Sequence, residues 1–161
     1  MTSNASRITR RPNEEIADRT WLIDLGFQGV PGAIGSFLLA GEDGLALVES
    51  GPTTTLPNLE AGVRELGLEM ADVQRLIVTH IHLDHAGGAG ALMRRWPNIR
   101  LTVHEAGAPY LIDPERLVKS AARIFGDRMD DLWGEVVPVD ADRVDTVVDE
   151  DIVRVAGRDL L

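Results

Sequence analysis

One short stretch constrains this chain more than any other: an apolar run followed at once by a cluster of histidines. Arg75–Thr79 consists of Arg-Leu-Ile-Val-Thr, and a compact run with β-branched residues is typical of a buried strand. His80, His82, Asp84 and His85 follow directly, so that three of the 4 histidines lie close together. The sequence therefore predicts a strand that presents a set of nitrogen and oxygen donors at its carboxyl end.

These donors have the spacing of a metal site. On an extended backbone, side chains two apart point to the same side, so His80 and His82 can face one point. The turn that follows can bring Asp84 and His85 back to a neighbouring point. Imidazole and carboxylate ligands suit zinc, iron or manganese, and Gly87-Gly88 would let the backbone turn tightly beside the site. The alternative is a group of surface or core-bonded histidines that holds no metal.

Composition excludes several other classes of function. The chain has 161 residues and no cysteine, which rules out disulfides, thiolate metal sites and cysteine nucleophiles. A formal net charge of −10 makes nucleic acid an unsuitable partner, because phosphate binding needs a basic face. The polar amino terminus lacks the apolar stretch of a secretory signal, and no run is long enough to span a membrane. These features predict a cytoplasmic protein.

The pattern along the chain predicts an α/β fold. Residues 1–18 are predicted to be a flexible lead-in, and residues 19–161 a single domain. The turn Gly41-Glu42-Asp43-Gly44 predicts a hairpin between its two flanking strands. Helices are predicted from Thr55 to Gly67, over Ala89–Trp96 and over Pro114–Phe125. Further strands are predicted at Trp21–Leu25, Ser36–Ala40, Leu45–Glu49, Ile99–Val103, Val136–Val139, Ile152–Val155 and Asp159–Leu161.

The histidine motif also carries a family resemblance. The sequence from Thr79 to Gly88, Thr-His-Ile-His-Leu-Asp-His-Ala-Gly-Gly, resembles the metal-binding motif of the metallo-β-lactamase superfamily, particularly its glyoxalase-II-like branch. Ser36–Leu39 and Leu47–Pro52 stand where that family places its first hairpin. Asp113–Leu117 is similar to a helix start in one subgroup of these hydrolases. The resemblance runs from about Trp21 to the end of the chain and covers the amino-terminal half to two-thirds of the family's αββα sandwich.

The resemblance implies a binuclear metal centre and a hydrolytic reaction. In the family, the residues that match His80 and His82 bind one metal, and those that match Asp84 and His85 bind a second. A water between the metals attacks the substrate, and the residue that matches Asp84 can orient this water or receive its proton. The implied cofactor is zinc, with iron or manganese as alternatives. Typical substrates of the family are thioesters, lactones, β-lactams and phosphate esters.

The resemblance also implies ligands that this sequence does not supply. The family adds histidines and a bridging carboxylate downstream of the motif, whereas no histidine follows residue 104 here. The run that ends at Leu161 is apolar, and we interpret it as an element cut short, so that the sandwich is expected to be incomplete at the C-terminus. Two functions follow as alternatives. The chain is a metal-dependent hydrolase, or it is a catalytically incomplete piece that binds metal weakly or associates with a partner, including a homo-oligomer that covers the missing half.

Several other residues could add to the site. His104 could replace a missing ligand, but we expect a structural or pocket-lining role. Glu49 and Asp24 lie at strand ends and could support the histidines, although solvated or turn-bonding roles are favoured. Arg128–Trp133 is amphipathic and could cap a substrate pocket, with core packing favoured. The acidic residues near the C-terminus are expected to form a solvated face: Asp140, Asp142, Asp145, Asp149, Glu150 and Asp151.

Overall fold

A single seven-stranded sheet organises the molecule. The structure is a computed structural model that describes residues 10–161. The sheet strands follow each other in chain order: β1 (Glu14–Ala17), β2 (Thr20–Asp24), β3 (Gly35–Gly41), β4 (Gly44–Val48), β5 (Val73–Ile77), β6 (Arg100–His104) and β7 (Val144–Val147). The first four strands pair antiparallel, and β4 through β7 pair parallel. A separate hairpin joins β8 (Val153–Val155) to β9 (Arg158–Leu160). The predicted α/β class is confirmed.

Helices form the crossovers between the parallel strands. Helix α1 (Leu56–Glu65) links β4 to β5, and α2 (Leu83–Ala86) and α3 (Ala89–Arg95) link β5 to β6. The longest connection, from β6 to β7, carries α4 (Ala108–Ile112), α5 (Glu115–Phe125) and α6 (Met129–Leu132). Within residues 10–161, no helix combines the length and the apolar character that crossing a bilayer would require.

The alternation of side chains along the strands separates two apolar layers. Leu38, Leu47 and Leu76 point to one face and are fully buried against the helices, in a core that also contains Leu59 and Leu92. Their neighbours along the same strands point to the opposite face, because side chains alternate along an extended strand. On that face the β8–β9 hairpin packs through Val155 and Ala156, against a group that comprises Leu39, Ala46, Val48 and Ile77. The molecule therefore has three layers, in the order helices, seven-stranded sheet and β8–β9 hairpin.

Part of the predicted flexible lead-in belongs to the sheet. Residues 1–9 lie outside the described residues, but Glu14–Ala17 forms the edge strand β1. The charged residues that suggested a lead-in are appropriate to the edge strand of a sheet. Both faces of β1 are exposed, and charged side chains there discourage pairing with another chain. Its neighbour β2 supplies the hydrogen-bonding partner that composition alone cannot reveal, with Glu15 opposite Trp21.

The strand predicted at Val136–Val139 does not form. Its backbone groups are bonded elsewhere: Val139 donates to the Leu111 carbonyl at 2.9 Å, and the Glu135 carbonyl accepts from the Thr53 hydroxyl at 2.8 Å. The segment also passes directly over α3, where a Cβ on Gly90 would lie 1.9 Å from the Val137 carbonyl oxygen. Val136–Val139 is apolar because it packs over helix α3. The strand that completes the sheet is β7 instead.

Asp145 departs from the prediction of a solvated acidic face. Strand pairing places Arg75 opposite Arg100, so two like charges face each other on β5 and β6. Asp145 on β7 bonds to both, contacting Arg75 and accepting from Arg100 at 2.6 Å and 3.0 Å. The hydrogen bonds from Arg100 and then from Arg75 lower the pKa of Asp145 from 3.8 to about 2. The sequence could not show this, because the three residues meet only through strand register.

Candidate metal centre

The parallel part of the sheet brings the candidate site together. Strands β4 and β5 run in the same direction, with Val48 opposite Ile77, so their carboxyl ends meet at one edge of the sheet. Glu49 follows β4, and Thr79 and His80 lie just past β5. This edge is where parallel α/β sheets generally place their ligands. Residues some thirty positions apart along the chain become neighbours for this reason.

The three motif histidines form one compact group. The ring of His80 lies 4.0 Å from that of His85 and 4.8 Å from that of His82, measured between centroids. His82 begins α2, and one turn of this short helix places Asp84 and His85 beside it. The distance from His85 Nε2 to Asp84 Oδ2 is 3.3 Å. The structure thus brings the three imidazole rings together and sets Asp84 beside His85, whereas the group whose ligand atoms all lie within 4.8 Å of one another contains His80 and His85 but neither His82 nor Asp84.

Glu49 connects to the histidine group through Thr79. The Glu49 Oε1 atom accepts from the Thr79 backbone N–H at 3.1 Å and from its hydroxyl at 2.5 Å. Because that hydroxyl donates to Glu49, its oxygen is left to accept from His80 Nδ1, which lies 2.9 Å away. This arrangement puts the His80 proton on Nδ1 and leaves Nε2 with a free lone pair. Glu49 therefore fixes the tautomer in which Nε2 of His80 can bind a metal.

Glu49 also approaches the third imidazole directly. Its Oε1 lies 3.5 Å from His85 Nδ1, on the side of the ring away from Asp84. The side chain is buried, and Oε2 has no hydrogen-bonding partner among residues 10–161. The backbone of Glu49 adopts a φ of 69°, which non-glycine residues rarely do and which costs about 1–3 kcal/mol. A buried, underused carboxylate held in an unfavourable conformation is a feature of functional sites.

Backbone hydrogen bonds clamp the two site segments together. The His85 carbonyl accepts from the backbone of Ser50 at 2.8 Å and of Gly51 at 3.1 Å. Gly88 in turn donates to the Gly51 carbonyl at 2.7 Å, and a Cβ on Gly88 would lie 2.9 Å from that oxygen. The predicted tight turn at Gly87-Gly88 is thus a close approach between two backbones. The segment after β4 and helix α2 consequently form one rigid unit.

The donor set fits a divalent metal of borderline character. It consists of imidazole nitrogens and carboxylate oxygens, and ligand atoms of Glu49, His80 and His85 all lie within 4.8 Å of one another. The unpartnered Oε2 of Glu49 shows that this cluster is not satisfied by protein groups alone. The candidate cluster therefore contains two of the four residues predicted from the motif, His80 and His85, together with Glu49, and His82 and Asp84 lie next to it.

His104 and Asp24, which could have added ligands to the site, have other partners. His104 Nδ1 accepts from the Ala106 backbone at 3.1 Å, and its Nε2 lies 3.6 Å from Asp149. Asp24 accepts from the backbones of Arg11, Gly26 and Gly32, at 2.6 Å, 2.9 Å and 2.8 Å. Both side chains organise turns near the ends of strands, and neither joins the candidate metal cluster.

A cavity of about 600 Å³ opens beside the motif, between His82 and Asp84 on one side and α5 on the other. Trp133 lines it and stacks on Phe27 with ring centroids 5.4 Å apart. The amphipathic stretch that ends at Trp133 packs into an apolar cluster, as the sequence favoured, and Trp133 also lines the cavity. Sequence reasoning missed Tyr110 and Arg116 in this cavity, because nothing in their spacing links them to the motif.

The arrangement defines a class of protein: an α/β sheet with a histidine and carboxylate cluster at the carboxyl ends of its parallel strands. The model of the metallo-beta-lactamase superfamily matches residues 29–160. The chain therefore belongs to the metallo-beta-lactamase superfamily, and that part of the sequence-based resemblance is confirmed.

Solved structures show the same fold. The native FEZ-1 metallo-beta-lactamase from Legionella gormanii is similar over 94% of this chain, with a TM-score of 0.69 and 19% identity. BJP-1, a subclass B3 metallo-beta-lactamase of Bradyrhizobium japonicum, is similar over 92% of this chain, also with a TM-score of 0.69 and 19% identity. This chain covers 52% of the first structure and 50% of the second, so it spans about half the length of each.

Proposed function

We propose that this protein is a metal-dependent hydrolase of the glyoxalase-II-like type, which cleaves an ester, thioester or lactone bond. One observation carries the proposal: at the end of β5 the His80 ring lies near those of His82 and His85, Asp84 adjoins His85, and the buried carboxylate of Glu49 lies beside His85. Such a set of nitrogen and oxygen donors at the edge of a parallel sheet is suited to binding a catalytic metal. We also propose a cytoplasmic location and a small-molecule substrate.

The four motif residues divide between two metals in this proposal. His80 and His82 would hold one ion, and Asp84 and His85 a second, with zinc as the expected metal and iron or manganese as alternatives. A bound divalent metal lowers the pKa of a water ligand toward neutrality and so supplies a nucleophile at working pH. Asp84, which is partly exposed, would orient this water or accept its proton. Glu49 would hold His80 and His85 in the required orientation.

A second candidate function is a non-catalytic module that binds metal weakly. It is favoured by the number of ligands, because a catalytic zinc usually has three protein ligands and the motif offers only two to each metal. The remaining histidine, His104, is engaged with Asp149 and Ala106. Under this alternative the chain binds metal with low affinity and does not turn over substrate by itself.

Metal content per folded chain separates the two functions. The protein is reconstituted with zinc, passed through a gel-filtration column and assayed for metal by elemental analysis. We expect close to two zinc ions per chain, and hydrolysis of a thioester such as an S-acyl glutathione or of a simple lactone. His82→Ala should lower the metal content by at least one ion, because it removes one of the two histidines assigned to the first metal.

His104→Ala provides the matched control, since it removes a histidine outside the cluster. This variant should retain the full metal content. A content near zero in the unsubstituted protein would overturn the proposal of a metallohydrolase. Retained zinc without hydrolysis of any thioester, ester or lactone would favour the non-catalytic module.

A further inference from the structure

The cavity beside the metal cluster has a composition that identifies a kind of ligand. Most of its far wall is apolar and comes from Leu117, Ala121 and Phe125 on α5, with Trp133 beside them. Its volume of about 600 Å³ lies inside the roughly 300–1,000 Å³ range of small-molecule sites. Walls of this kind favour hydrocarbon or aryl groups over sugars or nucleotides, whose many polar groups would lose hydrogen bonds with water.

The guanidinium group of Arg116 places a positive charge at this cavity. Arg116 lies in the first turn of α5 and lines the cavity, with its Cζ atom 5.9 Å from the centroid of the Tyr110 ring. None of the ion pairs formed among residues 10–161 includes Arg116, although this protein has a net charge of −10. An arginine without a carboxylate partner in an acidic protein is available to an anionic ligand.

A further feature shows that the cavity is suited to an occupant. Ile124, at the cavity, is 76% exposed, which is unusual for a large aliphatic side chain beside an apolar wall. A ligand that carries hydrocarbon into the cavity would cover Ile124 and the rings of Phe125 and Trp133.

We propose that this cavity selects substrates whose acyl group is a hydrocarbon chain or ring that ends in a carboxylate, and that Arg116 binds this carboxylate. A guanidinium offers two parallel N–H donors that match the two oxygens of a carboxylate. A single arginine balances one negative charge, which favours a carboxylate over a phosphate dianion. The scissile carbonyl would then lie toward His82 and Asp84 at the opposite wall. The inference rests on the proposed function only for this placement of the reacting group.

The test measures binding in protein from which metal has been removed, so its outcome does not depend on hydrolysis. Octanoate and the neutral octanamide serve as matched probes, titrated into the full chain by calorimetry. We expect octanoate to bind saturably and about tenfold more tightly than octanamide. Arg116→Gln should remove this difference by weakening octanoate alone. Arg123→Gln, on the same helix but outside the cavity lining, should leave both affinities unchanged.

A second variant tests the cavity itself. Ser120 lines it from an exposed position, so Ser120→Trp should fill the space without disturbing the core and should abolish binding of both probes. Equal binding of octanoate and octanamide, or an Arg116→Gln variant that retains the preference, would overturn the role of Arg116. Absence of saturable binding at millimolar octanoate would overturn the ligand class. A protein that binds octanoate in this way but takes up no metal would contradict the hydrolase proposal and leave this inference intact.

Discussion

Glu49 is the residue on which the geometry of the candidate site depends. Its carboxylate contacts Thr79, which in turn contacts His80, and it also lies beside His85. A single side chain thus orients two of the three motif imidazoles. Groups of this kind, which do not need to touch the metal, commonly change metal affinity by about 10–100-fold when they are replaced.

We predict that Glu49→Gln lowers zinc affinity by about 10–100-fold. The amide keeps the size of the side chain but lacks the negative charge. It therefore no longer favours a proton on Nδ1 of His80 and of His85, the tautomer that leaves Nε2 of each ring free to bind the metal. Affinity is measured by competition with a chromophoric zinc chelator.

Glu42→Gln is the matched control, because Glu42 lies in the exposed turn between β3 and β4. It should bind zinc like the unsubstituted protein. Unchanged affinity in Glu49→Gln, with the fold intact by circular dichroism, would contradict an orienting role for Glu49.

At the scale of secondary structure, the ion pairs among β5, β6 and β7 hold the end of the parallel sheet. Asp145 forms ion pairs with both Arg75 and Arg100, which strand register places opposite each other, and so offsets their mutual repulsion. Because its pKa is lowered to about 2 in the folded protein, its contribution to stability is fully present above about pH 4. That contribution is lost as the pH falls from about 4 to about 2 and the carboxylate becomes protonated.

We predict that Asp145→Asn destabilises the protein at pH 6 by about 1 kcal/mol, a modest value because the side chain is 40% exposed. Chemical denaturation at pH 6 and at about pH 3 should show a smaller difference between variant and unsubstituted protein at the lower pH. Asp142→Asn, which changes a neighbouring carboxylate without an ion pair among residues 10–161, is the control. A difference that stays constant with pH would contradict the assigned pKa.

Most elements of this fold could be predicted from local pattern, and the exceptions share one physical cause. The β3–β4 hairpin, α1, α3 and α5 follow from periodicity and turn residues, and the structure confirms them. Val136–Val139 and β1 were assigned wrongly because the partner that fixes each conformation is distant in sequence: Leu111 and Gly90 for the first, β2 for the second.

The candidate site shows the same limit. The four motif residues could be proposed as ligands because they lie within six positions of one another in the sequence. The link from Glu49 to Thr79 depends on the parallel pairing of β4 and β5, and Arg116 enters the neighbouring cavity only through the fold of the long β6–β7 connection. Single-sequence patterns do not encode contacts of this range.

At the scale of the whole molecule, one face of the sheet is covered far less than the other. The helices cover one face, whereas the opposite face carries, within residues 10–161, only the short β8–β9 hairpin. Phe37 is 36% exposed there and adjoins a cavity of about 490 Å³ that Glu49, Asp84 and His85 also line. A second copy of the chain placed on this face would lie next to the metal cluster.

We predict that the protein self-associates through this face, because association would bury Phe37 and the neighbouring apolar strand residues. Sedimentation velocity should show a dimer that dissociates on dilution, and Phe37→Ser should weaken it. Val30→Ser, which changes an exposed side chain outside the strands, should have no effect. A strictly monomeric protein at all concentrations would contradict this prediction.

The left-handed backbone conformation of Glu49 means that selection for thermal stability and selection for metal binding would favour different residues at this position. At a φ of 69°, glycine or asparagine has a lower conformational energy than glutamate. A library screened for thermal stability alone should therefore enrich these two residues at this position. Each would discard the carboxylate that orients the imidazoles. Selecting this chain for thermal stability alone would therefore tend to remove the candidate metal site first, unless metal uptake is screened alongside thermal stability.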